Sequence, residues 1–243
     1  MQNQDVTKLS KAELMALEAE LEKQYHAAAD QGLSLDMSRG KPGPEQLDLS
    51  DGILTVLTPE NVKSESGDTR NYGQLEGIPE MRRLFAELYD LPEERIIVGG
   101  NSSLNLMYDA MTRLMIFGSL GSKPWSQIEG RKWICPVPGY DRHFAITEHF
   151  GFELIPVPLG DDGPDMDMVE ELVKNDEKIK GIWCVPVYSN PTGTCYSDET
   201  VRRLGAMECA ASDFRIFWDN AYGVHHLYGE CRVADIFEAC EAA

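Results

Sequence analysis

The sequence is poor in positive charge and has no long apolar run. It contains 22 lysines and arginines against 41 aspartates and glutamates, which gives a formal net charge of −19. We therefore expect no nucleic-acid partner, because phosphate backbones are bound by clustered cations. No segment approaches the ~20 apolar residues that span a bilayer, and no basic stretch followed by an apolar one resembles a signal peptide. We expect a cytoplasmic protein without a membrane partner.

Several common ligand motifs are also missing. The sequence has no G-x-G-x-x-G and no G-x-x-x-x-G-K-[ST] pattern, so neither a dinucleotide site nor a P-loop is supported. Its six cysteines include no C-x-x-C pair, and His225 and His226 are neighbours whose side chains point in different directions. We therefore expect reduced thiols and no metal site. The apolar fraction of 42% is enough for a packed core.

From residue 96 onward, short apolar strands alternate with amphipathic helices. The strands are predicted at 96–98, 132–137, 153–157, 181–187 and 215–218. The helices are predicted at 10–29, 79–89, 102–117, 140–150, 165–175 and 198–211, the first of them opening with a capping box of Ser10 and Glu13. This alternation predicts an α/β fold, in which helices cover both faces of a parallel sheet.

Polar, glycine-rich or aromatic segments follow four of these strands. They are residues 99–103, 136–140, 188–193 and 219–222. Because ligands of open α/β sheets bind beyond the carboxyl ends of the strands, these segments form the candidate site.

The first two segments each have a binding interpretation and a plain structural one. Asn101, Ser102 and Ser103 stand at a predicted helix start, where backbone N–H groups and hydroxyls either bind an anion or serve only as a helix cap. Tyr140 either stacks on a planar ring or is a half-buried tyrosine at the start of a helix.

The other two segments also have two interpretations each. Asn190, in the sequence NPTG, either donates to a ligand oxygen or only forms a turn. Asp219 ends an apolar strand, where a carboxylate is costly unless it meets a cation or a donor such as a protonated heterocyclic nitrogen. Tyr222 could then reach the same ligand. The alternative for Asp219 is a capping or surface acid.

Together and in this order, the motifs resemble those of the fold-type I aminotransferases of class I/II, which use pyridoxal 5′-phosphate (PLP). The similarity is strongest to the type Ic aspartate aminotransferase group, on the segments SRGKPGP, NYGQLEGIPEMR, GGNSSLNLMYDAM and PGYDRHF. The resemblance implies an incomplete three-layer α/β/α large domain at 51–243. It assigns 1–50 to an N-terminal part of the small domain and a substrate-facing loop.

The resemblance also implies roles around the PLP ring. Asp219 would pair with the pyridine nitrogen and keep it protonated, which strengthens the electron sink. Asn190 and Tyr222 would hydrogen-bond the ring 3′-oxygen. Tyr140 would stack on the ring face.

The phosphate of PLP would be bound by Ser102, Ser103 and backbone N–H groups near Asn101. Tyr72 would reach the phosphate of a neighbouring subunit, which implies a homodimer.

Gly40 would lie in the loop that faces the substrate. Arg39 and Lys41 in that loop are candidates for binding substrate carboxylates, with ordinary surface charge as the alternative.

The family's Schiff-base lysine is missing from this sequence. None of the 24 residues that follow Asp219 is a lysine, and the last lysine is Lys180. We therefore expect this chain to be an inactive fragment of a longer enzyme, with no catalytic residue of its own. The enzyme would transaminate an amino acid, aspartate or glutamate, with a 2-oxo acid. The alternatives are a non-catalytic PLP-binding or regulatory module, and a PLP lyase or synthase on the same fold.

Overall fold

The computed structural model of the chain describes residues 6–36, 40–119 and 121–242. The chain divides into two compact units, Met1–Gln74 and Leu75–Ala243. This division falls later than the one predicted after residue 50. How the units correspond to the small and large domains stays a prediction.

The first unit has little buried apolar surface. It contains the helices α1 (Lys11–Ala29) and α2 (Pro44–Asp48) and a short hairpin of β1 (Lys63–Ser64) and β2 (Gly67–Asp68). The predicted capping box starts α1, because the Ser10 backbone N–H donates to Glu13 Oε2 at 2.8 Å while the Glu13 N–H donates to Ser10 Oγ. No residue of α1 is buried.

The second unit contains most of the regular structure. Its strands are β3 (Lys132–Val137), β4 (Glu153–Gly160), β5 (Gly163–Pro164), β6 (Ile179–Cys184) and β7 (Arg215–Trp218). Its helices are α3 (Pro79–Tyr89), α4 (Ser103–Phe117), α5 (Asp141–His149), α6 (Met166–Asn175), α7 (Asp198–Ala206) and α8 (Ile236–Glu241). No helix in the described part of the chain is long and apolar enough to cross a membrane.

One sheet of five strands runs through this unit, in the order β5-β4-β3-β6-β7. The strands β4, β3, β6 and β7 are parallel, as predicted, whereas β5 is antiparallel to β4. Because the strands are parallel, the carboxyl ends of β3, β6 and β7 lie at the same edge of the sheet.

The two faces of the sheet carry separate apolar cores. Ile134 packs with residues of α6 and α7, whereas its neighbours Trp133 and Cys135 pack with Met111 and Met115 of α4. Successive residues of a strand point to opposite faces, so helices cover both sides of the sheet. The second unit therefore has the predicted three-layer α/β/α architecture.

Four predicted elements differ from the structure by more than two residues. The strand predicted at 153–157 continues to Gly160. Residues 96–98 form no strand; Val98 N–H donates to Glu76 O, but one such bond does not build a ladder. The strand predicted at 181–187 begins at Ile179 and ends at Cys184, shortly before Pro186, which has no N–H to donate. The helix predicted at 198–211 ends at Ala206, after which Met207 is extended.

Candidate functional site

A cavity of about 310 Å³ opens beyond the carboxyl ends of β6 and β7. Seven residues predicted for the site line it: Asn101, Ser102, Ser103, Tyr140, Asn190, Asp219 and Tyr222. Leu104, Val185 and Ala221 complete the lining. The structure therefore brings together all the predicted site residues of the second unit, although they span 122 positions in the chain.

The remaining predicted residues lie elsewhere in the chain. Tyr72 and Gly40 belong to the first unit, where both are exposed. Arg39 lies outside the described residues. The roles predicted for these three residues stay predictions.

Asp219 is held at the end of β7 by its neighbours. Its backbone N–H donates to Cys184 O at 2.8 Å, which continues the pairing of β6 and β7. Its side chain is 11% exposed, and its Oδ1 accepts from the Ala221 N–H at 3.2 Å. The other oxygen, Oδ2, lies 2.8 Å from His143 Nε2. The carboxylate is thus fixed from two sides while it faces the cavity.

His143 is a site residue that the sequence motifs did not reveal. Its ring is buried and stacks on Trp183, with ring centroids 4.7 Å apart and an interplanar angle of 16°. We assign Nε2–H as the donor, because a carboxylate only accepts. The segment PGYDRHF carried the signal, since His143 follows Tyr140 by three residues and three-residue spacing places both on one side of a helical turn.

Asn190 and Tyr222 meet at one point of the cavity wall. Asn190 Nδ2 donates to the Tyr222 hydroxyl at 3.4 Å. The loop of Asn190 is a closed turn, in which Ser189 N–H donates to Thr194 O at 2.8 Å and Gly193 takes a φ of +77°. A side chain other than glycine is disfavoured at such a φ. The NPTG sequence therefore forms a turn and also presents Asn190 to the cavity.

The start of α4 supplies hydroxyl and backbone N–H groups. Ser102 is the N-cap, and its Oγ accepts from the Asn105 N–H at 3.3 Å. Ser103 is the first residue of this 15-residue helix. The first N–H groups of a helix have no partner within it, and they attract anions. Ser102 therefore caps the helix and also borders the cavity, and anion binding at this helix start stays a prediction.

Tyr140 closes the cavity from the side of β3. It directly precedes α5, and its ring meets the His143 ring edge-on, at 5.1 Å between centroids and 87° between planes. Its ring is only partly buried. Stacking of this ring on a bound ligand stays a prediction.

No lysine lines the cavity among the described residues. Lys180, the last lysine of the sequence, stands near the start of β6, at the opposite edge of the sheet from the cavity. Its Nζ donates to Asp213 Oδ1 at 2.8 Å, and both side chains are buried. Lys180 is therefore committed to an internal ion pair.

The expectation of reduced thiols is wrong for two cysteines. Cys195 and Cys231 are joined by a disulfide, although 36 positions separate them. Their spacing gave no sign of this, because the pairing depends on how the NPTG loop and the loop after β7 fold together. Cys135 and Cys184 are free and buried, and burial raises the pKa of each thiol to about 12.

A family model described as aspartate amino-transferase matches residues 9–243. The chain belongs to this family. An aspartate aminotransferase from Corynebacterium glutamicum is 51% identical over 227 residues, which cover 92% of this chain and 52% of that protein. The chain thus spans about half the length of the curated relatives it matches.

Solved structures agree with this assignment. The crystal structure of an aspartate transaminase from Corynebacterium glutamicum is similar with a TM-score of 0.86 at 46% identity, covering 96% of this chain and 56% of that one. An α-aminoadipate aminotransferase from Thermus thermophilus, complexed with N-(5′-phosphopyridoxyl)-L-leucine, is similar with a TM-score of 0.62 at 21% identity. The similarity covers 84% of this chain and 48% of that one, and it shows a shared fold.

Proposed function

We propose that the protein to which this chain belongs is a PLP-dependent aminotransferase that moves an amino group between an amino acid and a 2-oxo acid. The observation that carries the proposal is the composition of the cavity of about 310 Å³. It combines a mostly buried acid, a paired amide and phenol, an aromatic ring and a helix start. These are the groups needed for a protonated ring nitrogen, a ring oxygen, a ring face and a phosphate.

The acid end of the cavity would control the electronics of the cofactor. When bound, PLP supplies an electron sink for the negative charge that develops at the amino-acid Cα. Asp219 would accept a hydrogen bond from the ring nitrogen and hold the proton there. His143 would keep the Asp219 carboxylate oriented, because its Nε2 lies 2.8 Å from Oδ2.

The other groups would hold the remaining parts of the ring. Asn190 and Tyr222 are 3.4 Å apart and would share the ring oxygen. Tyr140 would cover one ring face. Ser102 and Ser103 would bind the phosphate together with the first N–H groups of α4, whose positive end attracts an anion.

We propose that the catalytic lysine lies in a part of the protein that this sequence does not include. Transamination needs an amine that takes the proton from Cα and returns it to the cofactor carbon. Lys180 cannot do so while it is paired with Asp213 at the other edge of the sheet. That the chain spans about half of its relatives supports a lysine in the remaining half. The 243-residue chain alone is accordingly expected to give no transamination.

The proposed substrates are aspartate or glutamate with a 2-oxo acid. The support is the name of the relative that is 51% identical, an aspartate aminotransferase. Gly40 and Arg39 are proposed for the substrate side of the site. Tyr72 is proposed to reach the phosphate of a neighbouring subunit, so that the enzyme works as a homodimer in the cytoplasm.

The test uses the protein as its gene encodes it. Aspartate and 2-oxoglutarate are supplied, and oxaloacetate is measured with malate dehydrogenase and NADH. The Asp219→Asn variant should lose roughly ten- to hundredfold in kcat/KM, the range expected for a hydrogen bond to a charged group. The matched control is Asp161→Asn, because Asp161 is an exposed acid in the turn between β4 and β5.

Three outcomes separate the alternatives. Unchanged kcat/KM in Asp219→Asn would contradict the proposed site. Cofactor binding with elimination or condensation products, but no amino transfer, would indicate a PLP lyase or synthase. Cofactor binding without any turnover of several amino acids would indicate a non-catalytic module.

A further inference from the structure

The disulfide joins the two segments that carry Asn190 and Tyr222. Cys195 follows Asn190 by five positions, and Cys231 follows Tyr222 by nine. The two cysteine Cα atoms are 6.7 Å apart, within the range that a disulfide spans. The covalent link therefore closes a ring of chain that contains β7, Asp219 and Tyr222.

Tyr188 connects the same two segments without a covalent bond. Its hydroxyl donates to Gly229 O at 3.0 Å and accepts from the Cys231 N–H at 3.2 Å. His226 Nδ1 lies 2.9 Å from the same oxygen and fills its second acceptor position. Tyr188 has a φ of +50°, which is uncommon for a bulky residue and persists where neighbours hold it.

The two linked cysteines differ from Cys135 and Cys184 in their access to solvent, although the free cysteines Cys209 and Cys240 are also at least partly exposed. Cys195 and Cys231 are partly exposed, whereas Cys135 and Cys184 are buried. We therefore expect a small thiol to react with the link more readily than with the two buried thiols. Cys231 and Tyr188 also border a second cavity, of about 790 Å³, whose wall includes Asn190 and Tyr222.

We propose that Cys195 and Cys231 form a redox-dependent brace that, when oxidised, holds Asn190 and Tyr222 in the arrangement that binds the cofactor ring oxygen. This inference rests on the proposed function, because it assumes that the ring oxygen lies between these two side chains.

The redox step is a thiol–disulfide exchange with a low-molecular-weight disulfide such as glutathione disulfide. One protein thiolate attacks the small disulfide, forms a mixed disulfide and releases one glutathione thiol. The second protein thiolate attacks the mixed disulfide, which closes the Cys195–Cys231 bond and releases the second glutathione thiol. Two electrons pass from the protein to the small disulfide, and excess thiol reverses the reaction.

Opening the brace should weaken binding, because the loop after β7 must then be ordered when the ligand arrives. Ordering side chains at a binding site costs affinity, and a loss of about three- to tenfold is expected here. Tyr188 keeps its hydrogen bonds in the reduced protein, which limits the loss.

The experiment measures binding to the protein as its gene encodes it, freed of cofactor. The probe is 4′-deoxypyridoxine 5′-phosphate, which has the ring oxygen, ring nitrogen and phosphate of PLP but no aldehyde to react with lysines. Its dissociation constant is measured by fluorescence after equilibration with glutathione disulfide or with dithiothreitol, and the link is mapped by mass spectrometry of peptides.

The proposal expects about three- to tenfold tighter binding to the oxidised protein. The difference should disappear in the Cys195→Ser, Cys231→Ser double variant and persist in Cys240→Ser, which removes an exposed free cysteine that is not part of the link. If the link is mapped in the oxidised wild-type protein and the probe binds the oxidised and reduced proteins equally well, the brace alone is overturned. Alkylation of both cysteines in the oxidised protein overturns it too. If the probe binds neither the oxidised nor the reduced protein, both the proposed cofactor site and the brace are overturned.

Discussion

His143 Nε2 lies 2.8 Å from Asp219 Oδ2, and the His143 ring stacks on Trp183. The contact joins residues 76 positions apart. It connects the first turn of α5 to the end of β7. Asp219 at the cavity is thus in contact with a histidine that does not itself line the 310 Å³ cavity.

Replacing His143 should weaken cofactor binding. In His143→Ala, Asp219 loses its buried partner and can turn away from the ring nitrogen. We expect a roughly tenfold or greater rise in the dissociation constant of 4′-deoxypyridoxine 5′-phosphate, since hydrogen bonds to charged groups contribute about 1.5–3 kcal/mol. Fluorescence titration measures this.

The control for that variant is His149→Ala. His149 stands on the same helix, but it is exposed and contacts Tyr108 instead. Its replacement should leave the dissociation constant unchanged. If His143→Ala binds as tightly as wild type, the buried histidine does not orient Asp219.

The site was predictable where it follows a general rule of the fold. The carboxyl ends of parallel strands meet at one edge, so segments such as Asn190 and Asp219 could be expected to converge. The contact of His143 with Asp219 and the disulfide of Cys195 with Cys231 join residues far apart in the sequence, and local patterns do not encode which of them meet.

Two other differences between the predicted and the observed strands also arise from contacts that the local sequence pattern does not encode. A run of three apolar residues at 96–98 satisfies the local pattern of a strand, but a strand exists only where a neighbour offers a ladder. The hairpin partner β5 was missed because it has two residues, one of them Pro164, and shows no apolar periodicity. Tertiary partners therefore decided what the local pattern left open.

The two serines at the start of α4 should separate capping from phosphate binding. Ser102 caps the helix through the Asn105 N–H, so Ser102→Ala should reduce the free energy of unfolding by about 1 kcal/mol. Ser103 is not the cap, so Ser103→Ala should leave stability nearly unchanged. Both should weaken competition by inorganic phosphate for the 4′-deoxypyridoxine 5′-phosphate site. Urea unfolding and phosphate competition measure the two effects.

If Ser103→Ala binds phosphate as tightly as the wild-type protein does, Ser103 does not bind the phosphate. The phosphate would then be bound by backbone N–H groups or by residues outside this part of the chain.

The buried pair of Lys180 and Asp213 should make stability fall in acid. Burial acts to raise the pKa of Asp213, but hydrogen bonds from Lys180, Trp125 and Ser122 outweigh it and hold the pKa below its usual value. Because the folded-state pKa is the lower one, this stabilisation is present above about pH 4 and is lost as the pH falls through the folded-state pKa. Urea unfolding followed by tryptophan fluorescence from about pH 3 to 7 measures it.

The Asp213→Asn variant isolates this contribution. It leaves the Lys180 ammonium buried without a counter-charge, and we expect a loss of about 3–5 kcal/mol at neutral pH. The difference between variant and wild type should shrink below about pH 4. Glu208→Gln is the control, since its exposed pair with Lys174 should contribute less than about 1 kcal/mol. A loss that is the same in acid as at neutral pH would contradict the assignment.

The free side of β7 should make the 243-residue chain associate when it is produced alone. Among the described strands, β7 pairs only with β6, so the backbone groups on its other side have no strand partner. Ile216 and Trp218 of this strand are only partly buried, and unpaired strand edges with apolar side chains recruit further chains. We expect size-exclusion chromatography to give species larger than a monomer, with a broad urea transition. A monomer that unfolds in one sharp transition would contradict this, because it would mean that the edge groups are satisfied by water at little cost.

The gene-encoded protein is the comparison. If it runs as a discrete dimer while the shorter chain forms larger species, the edge of β7 is covered by residues outside this sequence.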